Sequence, residues 1–201
     1  MAASPAFIVL EGGDGCGKST QAGILVARLR ELGREVVTTR EPGATVAGAG
    51  IRALVLGGSD LDPRAEALLI AADRAEHVAE VIRPALSRGA LVVSDRYVPS
   101  SLAYQGVGRG LGVDEVARLS AWATGGLEPD LVIVFDVDPL AAAGRRVGPQ
   151  DRMEREPAEF RAVVNQAYRD LAARFGWTLV NGTASVDAVA DQVWKAVRPF
   201  V

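Results

Sequence analysis

Residues 7–21 read FIVLEGGDGCGKSTQ, and the order of residue types here decides what kind of sheet the chain builds. Phe7–Leu10 is apolar throughout, as in a strand covered on both faces. Gly12, Gly17, Lys18 and Ser19 then fit G-x-x-x-x-G-K-[ST], a loop that wraps a phosphate at the head of a helix. The spacing has a chemical reason. Glycines let the backbone curl with its N–H groups inward, Lys18 supplies charge to the β- and γ-phosphates, and Ser19 can ligate Mg²⁺. The ATP-binding candidates are therefore Gly12, Gly13, Asp14, Gly15, Cys16, Gly17, Lys18, Ser19 and Thr20. Cys16 is the single cysteine. Alone it suggests redox or nucleophilic chemistry, but inside the loop it reads as a position where a small side chain suffices. The loop does not by itself separate a kinase from a GTPase, a motor or a nucleotide-gated switch.

Outward from this stretch, apolar runs of strand length alternate with segments of helical period. Strands are expected at Ala6–Leu10, Glu35–Thr39, Ala90–Ser94, Leu131–Val137 and Thr178–Val180. Helices are expected at Gly17–Leu32, Pro63–Arg88, Asp114–Thr124, from about Pro139, at Pro157–Phe175 and at Ser185–Val197. Strands separated by helices predict an α/β fold: a five-stranded parallel sheet flanked by helices, with right-handed crossovers. Ligands then belong at the carboxyl ends of the strands.

The bulk properties bound the partners. The chain has 201 residues, 49% of them hydrophobic, which predicts one domain over 1–201 with a sizeable core. The net charge of −3 argues against a general nucleic-acid binder, because no overall basic field draws the chain to a polyphosphate. One cysteine excludes an intrachain disulfide and a cysteine zinc cluster. MAASPAFIVL has no basic leader pattern, and no apolar run reaches about 18 residues, so a membrane span is not expected and a cytoplasmic setting is.

A second stretch, SDRYVPSSLAYQG, begins at the end of the third expected strand. Asp95 stands where a carboxylate can meet Mg²⁺ or its water shell, and Arg96 beside it can hold an acceptor phosphate. A strand-end ion pair explains the same two residues. The stretches FIVLEGGDGCGKSTQ, TREPG, AADRAEHVAEVIRPAL, SDRYVPSSLAYQGVGRGLG, ATGGLEPDLVIVFDVDP and DRMERE, in this order from Phe7 to Glu156, make the chain resemble the bacterial thymidylate kinases. The resemblance implies the P-loop kinase fold and transfer of the γ-phosphate of ATP to dTMP. It implies Mg²⁺ near Ser19 and Asp95, and a homodimer with the Pro63–Arg88 helix facing the partner. It also assigns residues. Asp14 meets the sugar 3′-hydroxyl, Arg40 and Arg96 hold the dTMP phosphate, Arg74 donates to thymine O4, Ser101 and Gln105 line the base pocket, and Tyr104 crowds the sugar 2′ position. Taken one at a time, Arg40 and Arg74 read as surface ion pairs and Tyr104 as core packing.

Position 15 is glycine, where some members of the family carry an arginine that reaches the γ-phosphate. The resemblance is to members that place such arginines in a lid. The short lid is expected at about 145–156, in GRRVGPQDRMERE, with Arg145, Arg146 and Arg152 as catalytic candidates beside Lys18, Asp14 and Arg96. Arg155 and Glu156 read as a solvated charged face. The chain has Ile70 where the family carries an aromatic residue against thymine, and Ala44 in place of a glycine after REPG. His77, the only histidine, reads as structural, and Trp122, Trp177 and Trp194 as packing residues. Two rivals stand beside the leading reading: a kinase for another nucleoside monophosphate, and a nucleotide-gated binding module without transfer activity.

Overall fold

The computed structural model describes residues 4–58, 60–138 and 150–201. Its five strands are β1 (Ala6–Glu11), β2 (Val36–Arg40), β3 (Leu91–Asp95), β4 (Leu131–Asp136) and β5 (Thr178–Asn181). They form one sheet in the order β2-β3-β1-β4-β5, with every pairing parallel. Phe7 lies opposite Val92 on one side of β1, and Ile8 opposite Leu131 on the other. Side chains alternate across a strand, so β1 feeds two cores at once. Ile8 and Leu10 pack with Leu25 and Leu29 of α1 (Lys18–Glu31) and with Val189 and Val193 of the C-terminal helix. Phe7 and Val9 pack on the opposite face with Ile82, Leu102, Tyr168 and Leu171. This double cover explains why the central strands β1, β3 and β4 show no polar alternation, while the edge strands β2 and β5 are partly exposed.

Strand order reverses at β1, which lies between β3 and β4. A crevice opens there at the carboxyl ends, where a doubly wound sheet binds ligands. Glu11, Arg40 and Asp95 end β1, β2 and β3 and stand together at that edge.

Three departures from the sequence reading have physical causes. A helix absent from the expectation, α2 (Val46–Leu56), starts where the Thr45 side chain accepts from Gly48 N at 2.9 Å. Gly48 and Gly50 weaken its local helical signal, and the cap supplies what propensity does not. The expected Pro63–Arg88 helix runs as α3 (Pro63–His77), a π-helical turn (Val78–Ile82) and α4 (Arg83–Ser87). Pro84 lacks an N–H and crowds the carbonyl four residues back, so a widened turn ahead of it relieves the clash. The stretch after Asp95 is helical too: α5 (Val98–Ser101) continues into a second π-helical segment (Leu102–Gly108).

Among the described residues the remaining α-helices are α6 (Val113–Thr124), α7 (Ala158–Phe175) and α8 (Val186–Val197), which ends in a 3₁₀ turn (Arg198–Phe200). Trp122 corrects a further expectation, because it is 84% exposed rather than packed. Helix α6 buries Val116, Ser120 and Thr124, and position 122 lies on the far side of that stripe. The helix expected from about Pro139 falls outside the described residues, as do Arg145 and Arg146. Among the described residues, no helix is long and apolar enough to cross a membrane.

Candidate active site

The phosphate loop leaves β1 at Glu11 and enters α1 at Lys18. Gly12 and Gly17 have φ of 133° and 98°, a region that L side chains rarely enter. A Cβ on Gly12 would also stand 2.8 Å from the Phe135 carbonyl oxygen. Lys18 is 7% exposed, and its Nζ donates to Gly12 O and Gly13 O, both at 3.0 Å. The first turn of α1 carries no acidic residue, so its positive end is not neutralised. Cys16 is buried, with its Sγ 3.6 Å from Lys18 Nζ.

Arg96 faces this loop from the end of β3. It has a φ of 75°, uncommon for a residue with a side chain. Its Nη2 donates to Asp14 Oδ1 at 2.5 Å, and its Nη1 to Gly12 O, Ser100 Oγ and Tyr168 OH at 3.0–3.2 Å. The Ser100 and Tyr168 hydroxyls in turn donate to Glu11 Oε2 at 2.6 and 3.0 Å. Glu11 is fully buried, and burial pushes its carboxyl above the ordinary range even though Arg96 and its donors act the other way. One carboxylate thus orients, through two hydroxyls, the guanidinium that touches the phosphate loop. Tyr104 OH donates to Asp14 Oδ2 at 3.4 Å.

The acceptor wall carries Arg74, which is 1% exposed. Its Nε donates to Glu41 Oε2 at 2.8 Å, its Nη1 to Ser120 Oγ at 3.3 Å, and its Nη2 to Tyr97 O and Ser101 Oγ at 3.1 and 3.0 Å. His77 is fully buried, with Nδ1 2.8 Å from Glu41 Oε1 and Nε2 2.6 Å from Thr39 Oγ1. It braces the Glu41–Arg74 pair. Arg40, Ile70 and Gln105 complete the wall.

Both halves open on one cleft of about 770 Å³, a size suited to small molecules. Residues 14–20 of the loop line it, together with Asp95, Arg96, Arg40, Ile70, Arg74, Ser101, Tyr104 and Gln105. Gly12 and Gly13 lie behind, offering their carbonyls to Lys18. Gly182, Ser185, Val186 and Val189 line the end beyond the loop.

The family model of thymidylate kinase matches residues 10–193. The chain belongs to the thymidylate kinase family. It is 53% identical to the thymidylate kinase of Leifsonia xyli subsp. xyli over 194 residues, covering 93% of this chain and 91% of that one. It is 48% identical to that of Bifidobacterium longum subsp. infantis over 201 residues, with 96% and 84% covered. The figure for Synechococcus sp. (strain JA-2-3B'a(2-13)) is 47% over 195 residues, with 96% and 94% covered.

In this thymidylate kinase-family chain the residues expected at a metal fit one. Ser19 Oγ lies 3.4 Å from Asp95 Oδ2, and Asp95 Oδ1 is buried without a hydrogen-bond partner. A hard cation and its water shell would satisfy that oxygen. Among the described residues no group of three or more His, Cys, Asp or Glu gathers as a metal cluster.

Arg152 does not stand on the cleft. It is 6% exposed, with Nε donating to Val55 O at 2.7 Å and Nη2 to Glu66 Oε2 at 2.5 Å. Glu66, fully buried, holds that guanidinium away from the cleft. Glu156, expected on a solvated face, pairs with Arg109, while Arg155 is exposed as expected.

Arg52, from α2, was missed by the sequence reading. It lines the cleft near Arg40 and Arg96 and donates to Pro42 O at 2.8 Å. Burial lowers its pKa first, and the charges of Arg40 and Arg96 lower it further. Three cations crowded at one wall call for an anion between them. The one sequence signal was the arginine in AGIRAL, which carries no meaning until α2 is folded against the TREPG turn.

Proposed function

We propose that this chain transfers the γ-phosphate of ATP to dTMP, giving ADP and dTDP. The observation that carries the reading is the single cleft in which a phosphate loop faces an arginine-lined acceptor wall. A switch or motor needs the first and has no use for the second. Lys18 and the loop amides hold the β- and γ-phosphates. Arg96, Arg40 and Arg52 hold the acceptor phosphate and offset the repulsion between two anions brought side by side. Asp14, braced by Arg96, receives the sugar 3′-hydroxyl, and Tyr104 closes the 2′ side. Ile70 lies against the base. Ser19 and Asp95 would hold Mg²⁺, which would supply charge neutralisation to the phosphates. Arg145 and Arg146, in a lid over about 145–156, supply the γ-phosphate charge that Gly15 lacks. The transfer is direct and in line, with positioning and charge as the whole of the catalysis.

One domain with a short lid, acting in the cytoplasm as a homodimer, completes the reading. Exposed Leu68 on α3 and Trp122 on α6, two helices that pack together, support a partner face there.

A coupled ADP-release assay over dTMP, dUMP, dCMP, dAMP and dGMP tests the substrate. dTMP should give the highest kcat/KM. A higher value for a purine monophosphate or for dCMP would contradict the assignment.

A further inference from the structure

Glu66 lies in the first turn of α3, one helical turn before Ile70, and is fully buried. Three residues from two other parts of the chain converge on it. Gln105 Nε2 donates to Oε1 at 2.8 Å, Arg109 donates to both oxygens at 3.3 and 3.1 Å, and Arg152 Nη2 donates to Oε2 at 2.5 Å. Burial raises the Glu66 pKa, but the hydrogen bonds from Arg109, Gln105 and Arg152 outweigh it and hold the carboxyl below the ordinary range.

An ionised carboxylate only accepts hydrogen bonds. Gln105 must therefore turn its amide nitrogen to Glu66, which leaves Oε1, an acceptor, for the cleft that Gln105 lines. Arg74 lines the same wall. Four of its five N–H groups are engaged, and one Nη1 hydrogen has no partner among the described residues. The wall thus sets an acceptor from Gln105 beside the Arg74 guanidinium. Thymine presents the complement, an O4 acceptor beside an N3 proton. Cytosine presents the reverse, a 4-amino donor beside a bare N3.

We propose that Glu66 is a positioning residue for base choice: by fixing the Gln105 amide it makes the acceptor wall read thymine and reject cytosine. The inference rests on the dTMP reading above and names the residue that enforces it without touching substrate. Arg109 and Arg152 serve it by keeping Glu66 ionised. This gives Arg152, which the sequence placed among the lid arginines, a role other than meeting the γ-phosphate.

The test compares dTMP with 5-methyl-dCMP, which differs from it only in the 4-substituent and the N3 proton. kcat/KM is measured for both substrates with wild type, Glu66→Gln and Gln105→Met, each checked by a melting curve. A glutamine at position 66 can present either end of its amide, so Gln105 is free to turn. The preference for dTMP should fall at least about tenfold in each variant, and no further when the two are combined. Equal losses on both substrates, the mark of a merely structural role, would overturn the proposal. Should Glu66→Gln not fold, a crystal structure of wild type with dTMP decides: Gln105 Nε2 on Glu66 and Oε1 on the base support it, and the opposite amide orientation overturns it. A wild type that phosphorylates neither substrate removes the dTMP reading and this inference with it. A wild type that prefers dTMP while both variants keep that preference removes this inference alone.

Discussion

Arg96 does three things at once with one guanidinium, and its backbone is held at a φ of 75° to do them. It grips the phosphate loop through Gly12 O, braces Asp14, and leans on hydroxyls that Glu11 anchors from below. The carboxyl of Glu11 is raised by burial, and the sign of its pH effect follows. A carboxyl whose folded pKa lies above its unfolded value contributes most when both states are protonated. That contribution is lost as pH rises through the folded pKa. Glu11→Gln cannot titrate, so the stability gap between wild type and variant should shrink as pH rises above about 4, measured by urea unfolding. A gap that widens with pH would contradict the burial-dominated account. At this scale the sequence was legible where a motif names its own chemistry, as at Lys18, Ser19, Asp95 and Arg96. Glu11 and Glu66 were not, because each gains meaning only from partners 30 or more positions away, such as Tyr168 for Glu11 and Arg152 for Glu66; Arg52 was not, because its meaning depends on α2 folding back onto Pro42 and Arg40.

Elements decide which of the expected lid arginines is available. The segment after residue 150 is tied to α2 and α3 by Arg152, whose backbone N donates to Leu56 O at 3.3 Å while its side chain reaches Val55 O and Glu66. Truncating it leaves Glu66 buried with Arg109 and Gln105 but without its closest cation. Arg152→Ala should therefore lower stability by about 2–3 kcal/mol, the range for an underpaired buried charge. Arg145→Ala and Arg146→Ala should instead lower turnover with little change in melting temperature. Wild-type stability in Arg152→Ala would contradict the latch. The reason Arg152 read as catalytic is plain in retrospect: DRMERE shows a basic residue in a turn, and nothing in that stretch names a buried glutamate 86 positions earlier. Helix α2 was missed for a related cause, since its two glycines mute a helical pattern that the Thr45 cap and packing on α3 restore. The three central strands were legible because burial on both faces leaves an apolar run, and the edge strands β2 and β5 by shorter runs of β-branched and apolar residues.

On the scale of the whole molecule, the sheet order β2-β3-β1-β4-β5 brings two chemistries to one edge. β1 delivers the phosphate loop, while β2 and β3 deliver Arg40, Asp95 and Arg96 beside it. Donor and acceptor phosphates can then meet without passing through solvent, which is what separates direct transfer from hydrolysis. The alternation of strands and helices made the sheet foreseeable. The continuity of the cleft from Val189 to Gln105 was not, because it depends on α2 and the π-helical segment Leu102–Gly108 closing its walls. The most direct test follows the phosphate itself. With ATP labelled at the γ position, Mg²⁺ and dTMP, label should appear in dTDP in step with ADP, and little should be released when dTMP is left out. Label appearing as inorganic phosphate at a rate indifferent to dTMP would contradict the account.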